Sequence, residues 1–152
     1  MESAVKAIEQ ASKVYLNDLE AMTERQLLES AGGNARVPVD FTFEVALINR
    51  RIAARLAGQE PPAMPEVDGW LVAPDELRSK QGISLYLKSA CEELTEAAKA
   101  IPEAESGKMV GTPGSERPAF ALAQFAAMHT MYHDAQLNFI QSLNGDLEMH
   151  WN

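Results

Sequence analysis

Residues 119–143 read AFALAQFAAMHTMYHDAQLNFIQSL, and how this stretch divides between a buried and an exposed face decides what the rest of the chain can form. At 3.6 residues per turn, Leu122, Phe125, His129, His133, Gln136 and Ile140 fall in one band narrower than half the circumference. Both imidazoles therefore lie on the stripe expected to face a core. From Pro118 to His133 there is no Lys, Arg, Asp or Glu, which predicts a buried helix with little solvated surface until Asp134. Buried imidazole needs polar partners. Spacing of i, i+4 points two ring nitrogens at a shared position one turn apart, the arrangement used by zinc-binding helices of the HxxxH kind. The ordinary alternative is a pair of hydrogen-bonded core histidines, and a third ligand would favour the metal.

The remaining sequence has the length and patterning to enclose such a helix. At 152 residues the expectation is one domain, large enough to bury a core without staples. The formal charge is -9, from 22 acidic and 13 basic side chains. That balance argues against nucleic acid, which needs a basic face, and against an anionic membrane surface; no Lys/Arg cluster is longer than Arg50-Arg51. The opening MESAVKAIEQ has an early acid and no apolar h-region, and no apolar run approaches membrane-spanning length. A soluble, unexported, cytoplasmic protein is expected. The single Cys91 suits a reducing compartment and reads best as a small buried apolar residue.

Upstream, Ala4, Ala7, Ile8, Ala11, Val14, Tyr15 and Leu19 recur at three and four, giving a first amphipathic helix that ends near Met22. Thr23 can start one short turn, which Ala31-Gly32-Gly33-Asn34 breaks. A second helix, about Val39 to Ala57, carries Phe41, Val45, Ile48, Ile52 and Leu56 on one face and stops at Gly58. The connector from Gln59 to Pro74 has prolines at 61, 62, 65 and 74 and can span on the order of 50 Å when extended. It is therefore long enough to cross a whole helix and start the next one parallel to the second. Trp70 is expected to pin this strap, with a lid over a pocket as the functional alternative. Pro74, Asp75 and Glu76 suit a helix start, and Ile83, Leu87, Ala90, Leu94, Ala97 and Ile101 mark the buried face of a third helix. The loop after Pro102 is rich in Gly and Pro and leads to the fourth helix, which stops at Asn144-Gly145. No alternating strand pattern is present. The fold class expected is all-α, a four-helix bundle with a long crossover between the second and third helices.

Within FTFEVALI, residues 41–48, Glu44 is the only charged side chain and lies at the flank of the core stripe. It either favours the helix N-terminal region or pairs with a neighbouring helix, or it supplies the third ligand to His129 and His133. Two other chemistries fail on the residues. A di-iron carboxylate site needs Glu-x-x-His pairs, and neither histidine has Glu three positions earlier. Zinc-protease HExxH fails because Thr130 stands where the general base belongs.

His129-x-x-x-His133-x-x-Gln136, the Asn49-Arg50-Arg51 segment ending in Leu56-Ala57-Gly58, the Pro-Asp-Glu-Leu run at Pro74, and Gly145-Asp146 with His150-Trp151 together resemble the DinB/YfiT-like superfamily over nearly the whole chain. The resemblance implies an up-down-down-up bundle, a homodimer, and a nickel, zinc or similar divalent ion held by one histidine of the second helix and the HxxxH pair of the fourth. It also implies relatives such as mycothiol-dependent maleylpyruvate isomerase and bacillithiol transferases. This chain departs from the pattern in having no histidine in its second helix. Glu44 occupies the region where that ligand is expected, so the site is either rebuilt with a carboxylate or lost. A two-His, one-carboxylate set leaves coordination positions for water or substrate, makes bound water less acidic than an all-His set would, and favours harder ions.

Two functions follow as expectations. The first is a divalent-metal-dependent enzyme, a thiol-dependent transferase or a hydrolase, acting on a small-molecule substrate or low-molecular-weight thiol. Its metal would be held by Glu44, His129 and His133, with Gln136 and Tyr132 as candidates to bind substrate or donate a proton. The second is a metal-free dimeric bundle serving as a small-molecule-binding or stress-response module, its histidines bonded to Glu44 inside the core.

Overall fold

The computed structural model describes residues 1–151, and Asn152 lies outside the described residues. The fold is all-α: helices α1 (Glu2–Ala21), α2 (Glu24–Leu28), α3 (Pro38–Leu56), α4 (Lys80–Lys99) and α5 (Ala119–Leu143) carry the structure. Among the described residues the one strand pairing is two residues against two. It joins β1 (Met109–Val110) antiparallel to β2 (Arg117–Pro118) within the loop that the sequence reads as irregular. Helix α1 lies against α4 and α5, and α3 lies against the same two. Two apolar clusters fill the space between them, one around Tyr15, Phe41, Leu87 and Leu137, the other around Ile8, Ile52, Leu94 and Leu122. No helix among the described residues is long and apolar enough to cross a membrane.

Local chemistry explains most of the boundaries. Thr23 and Gln26 form a reciprocal capping box that starts α2, satisfying two backbone donors that a helix N-terminus otherwise leaves orphaned. Pro38 occupies the first turn of α3, where its missing N–H costs nothing. The third long helix begins later than its proline predicts. Asp75–Leu77 form only a single 3-10 turn, and α4 starts at Lys80 behind Ser79, whose Oγ accepts from the Gly82 N–H at 3.0 Å. Asp40 explains the delay: its carboxylate accepts from the Ala73 N–H at 2.9 Å and from the Arg78 guanidinium at 2.7 Å. The chain is thereby tied to α3 on both sides of Pro74 before it can turn into α4. Gly82 is required by this cap, because a Cβ there would stand 2.9 Å from Ser79 Oγ.

The Gln59–Pro74 strap is anchored mainly by buried Leu71 and Ala73, and Trp70, 70% exposed, adds a contact of its ring with the Arg36 guanidinium. One expectation about burial is corrected. The charge-free stretch of α5 is not a buried helix. Its core face carries mostly small residues, including Ala119, Ala123, Ala126 and Ala127, whereas Phe125, Met128, Tyr132, Phe139 and Leu143 are exposed. Small side chains let α5 approach its neighbours closely, and its larger apolar residues are left on the outer side. The buried stripe is thus rotated from the one read off the sequence. Phe125 leaves it, His129 stands near its edge, and His133 and Asp134 are 2% and 1% exposed.

Candidate metal centre

Helix α3 supplies Glu44 and α5 supplies His129 and His133. Their ligand atoms all lie within 4.8 Å of one another, and among the described residues they form the one group of this kind. Oε1 of Glu44 is 3.7 Å from Nε2 of His129 and 3.7 Å from Nε2 of His133. That is longer than a hydrogen bond. It is close to the roughly 3.3 Å that separates two ligands sitting about 2.0–2.1 Å from one tetrahedral ion. The imidazole rings meet nearly edge to face, with centroids 4.8 Å apart, so both present a nitrogen to the same gap.

Burial is the largest influence on both imidazoles and lowers their affinity for a proton; the nearby Glu44 opposes it at His129, and the Gln136 hydrogen bond and then the Glu44 charge oppose it at His133. His133 is pushed down to about 4, so at neutral pH it is an uncharged ring with a lone pair to give. Its tautomer follows from its partner: Nδ1 meets Gln136 Oε1 at 3.0 Å, an oxygen that can only accept. Nδ1 therefore donates, and Nε2 faces Glu44 as an acceptor. An imidazole lone pair and a carboxylate oxygen point at each other with nothing between them to share. Such an arrangement is repulsive when empty and favourable around a cation. The residues fit a divalent ion on this ground.

Around the three donors lie groups that fix their orientation. Arg36, from the loop before α3, donates Nη2 to Glu44 Oε2 at 2.6 Å. One carboxylate oxygen is thereby committed to Arg36, and the other is left for the imidazoles. The Arg36 guanidinium stacks on the Trp70 ring at 4.7 Å, which gives the strap a contact with the site. Phe41 stacks on His133 at 5.5 Å, Phe125 on His129 at 5.9 Å, and Tyr132 meets His133 edge-on at 5.0 Å.

The structure thus brings together Glu44, His129, His133 and Gln136. It gives Gln136 a definite task, holding the His133 ring. Tyr132 is 62% exposed on the outer side of α5 and touches the site only through its ring. Sequence reasoning missed Arg36, because nothing in its spacing from Glu44 marks a loop residue that folds back over the next helix. The aromatic neighbour at Phe41 had a signal, since it lies three positions before Glu44, nearly one helical turn away.

No family model matches the chain, and no curated protein matches it. A conserved protein of Enterococcus faecalis has a similar solved structure, with a TM-score of 0.71 at 14% identity over 93% of this chain and 95% of that one. At that identity the likeness is one of fold.

Proposed function

We propose that this chain is a divalent-metal-dependent enzyme of the DinB/YfiT-like type, with the ion held by Glu44, His129 and His133. One observation carries the reading. Two neutral imidazole nitrogens stand 3.7 Å from a single carboxylate oxygen, at an approach that suits a shared cation and satisfies no hydrogen bond. A bound divalent ion would supply Lewis acidity that lowers the pKa of water or of a low-molecular-weight thiol. The chain's own residues do the rest. Gln136 holds His133 in the tautomer that leaves Nε2 free, Arg36 holds the Glu44 carboxylate in place, and Phe41 and Phe125 fix the planes of the two rings. Three protein ligands leave coordination positions for a reacting group, as catalytic sites require and structural sites do not. The reaction class that suits these parts is thiol transfer or hydrolysis on a small substrate.

The same reading includes an up-down-down-up four-helix bundle. The contacts of α1 and α3 with both α4 and α5 support it, as does a connector long enough to return α4 parallel to α3. The metal-free alternative requires hydrogen bonds between Glu44 and the histidines, and the 3.7 Å separations disfavour them.

The test is metal content together with thermal stability, on protein prepared without a histidine tag. Wild type should hold close to one ion per chain. It should gain stability as free zinc or nickel rises above the dissociation constant, about 2.7 kcal/mol at a hundredfold excess over it. His133→Ala should show neither property. Equal metal content in the two proteins, or a melting temperature indifferent to chelator, would defeat the proposal.

A further inference from the structure

Beside the candidate metal centre a cleft of about 300 Å³ opens between the 31–36 loop and the outer side of α5. Its floor is Phe139, Ile140 and Leu143. Its inner wall is Arg36, Phe41 and Gln136. Each residue of that wall also touches the three-ligand cluster: Phe41 by stacking on His133, Gln136 by its hydrogen bond to His133 Nδ1, and Arg36 by its ion pair with Glu44. The cleft therefore ends at the first layer of side chains around the metal centre, and the two share those side chains as a wall.

The lining has a definite chemistry. Apart from Arg36 and Gln136, every lining side chain is apolar or, at Gly32, absent. In a chain with 22 acidic side chains against 13 basic ones, the one charged lining residue is a cation. Both polar residues keep unused donors. Arg36 spends Nη2 on Glu44, while its Nε is buried without a hydrogen-bond partner. Gln136 accepts at Oε1, which leaves its half-exposed amide nitrogen as a donor. Of these only Arg36 Nε is buried, and a buried donor without a partner is uncommon and favours an incoming acceptor. From Gln136 to Leu143 the floor runs along α5 for on the order of 10 Å, the length of a medium-chain carboxylic acid. The volume is at the small end of ligand pockets.

We propose that this cleft binds a small organic carboxylate with an apolar body, its anionic head at Arg36 and Gln136 and its chain along Phe139, Ile140 and Leu143. The cleft would then present the head of the molecule to the metal centre. This names a substrate class for the proposed enzyme and rests on the metal reading for what happens at the head, though not for binding itself.

Octanoate and 1-octanol serve as probes, titrated by calorimetry into metal-loaded protein and into chelator-treated protein. Metal content is measured on every sample. Octanoate should bind in both states, and about tenfold or more tightly than octanol, since a charge-assisted hydrogen bond separates them. Ala35→Trp, which fills the cleft from the loop side, should abolish binding and leave metal content unchanged. Arg36→Met should erase the preference for octanoate over octanol, a ratio that a general loss of structure would not alter selectively. Binding in chelated protein together with a wild type that takes up no metal would uphold the cleft and defeat the metal reading. The cleft proposal is overturned if octanoate binds only when metal is loaded, if octanol binds equally well, if Ala35→Trp binds octanoate normally, or if neither state binds it.

Discussion

Helix α5 carries two polar clusters that meet at the adjacent residues His133 and Asp134, and they are built to opposite ends. In the first, Glu44, His129 and His133 bring their ligand atoms to 3.7 Å, beyond hydrogen-bond length. In the second, Asp134 faces Asp18 of α1, and donors surround the pair. Asn138 Nδ2 reaches Asp18 Oδ2 at 2.8 Å, the Trp151 indole reaches the same oxygen at 3.2 Å, and Gln141 donates to the Asp18 carbonyl at 2.9 Å. Asp134 is pushed up to about 8, by burial first and then by the charge and hydrogen bond of Asp18. Like charges are reconciled there by a proton. The contrast teaches that burial acts with opposite sign on the two chemistries. It strips protons from imidazoles and so prepares ligands, while it gives a proton to a carboxyl and so makes a neutral clamp between α1 and α5.

If that division is right, the clamp contributes fold stability and the first cluster contributes metal uptake, with little crossover. Asp18→Leu should have the largest effect. It takes the acceptor from the Trp151 indole and one of the acceptors from the Asn138 amide, which keeps the Asp134 carbonyl at 3.0 Å, and it unbalances a largely buried network at a cost of about 3 kcal/mol in urea unfolding, while metal content per folded chain stays at the wild-type level. Parallel loss of metal would show that the two clusters are one unit.

The pH dependence of metal-free protein sharpens the comparison. Asp134 keeps its proton up to about pH 8 when folded, against an ordinary value of 3.8. Between those limits the native state binds one proton more than the unfolded chain, and stability falls as pH rises, by up to about 1.4 kcal/mol per unit. The imidazoles run the other way. Below their ordinary value of 6.5 the unfolded chain binds more protons than the native state, so stability rises with pH, down to about 4 in the case of His133. Below pH 6.5 His133 and Asp134 roughly cancel and the lowered His129 tips the balance toward a rise with pH, whereas above 6.5 Asp134 leaves a decline toward 8. Urea midpoints measured in chelator across this range should trace that shape, and Asp134→Asn should remove most of the decline, leaving the part that His150, raised by its hydrogen bond to Asp146, contributes above 6.5. A variant that declines as steeply as wild type would place the proton elsewhere.

The smallest effect concerns the tail. Trp151→Phe removes one indole donor from Asp18 and should lower stability by about 1 kcal/mol, without changing metal affinity. A change in metal affinity would mean that the tail reaches the first cluster through α5.

How far the sequence could anticipate this depended on distance along the chain. Local signals were sufficient for Thr23, Pro38 and the apolar periods of α1, α3 and α4, because caps and helical repeats act over a few residues. His129 and His133 announced themselves by spacing within one helix, and Glu44 by being the lone charge in an apolar run. What escaped were contacts between distant segments. Asp40 holding Ala73 and Arg78 delayed α4, Arg36 folded back onto Glu44, and Asp18 met Asp134 across 116 positions. Lack of charge in the first half of α5 misled for a physical reason. Small residues were selected for close packing on the inside, and the large apolar ones stayed outside, so absence of charge was not evidence of burial.

Convergence of Glu44, His129 and His133 on one ion can be read most directly from X-ray absorption spectroscopy of zinc-loaded, tag-free protein. Two imidazole nitrogens and one carboxylate oxygen are expected at about 2.0–2.2 Å, with the imidazole signal halved in His129→Ala. A zinc environment with one imidazole or none, unchanged by that substitution, would contradict it.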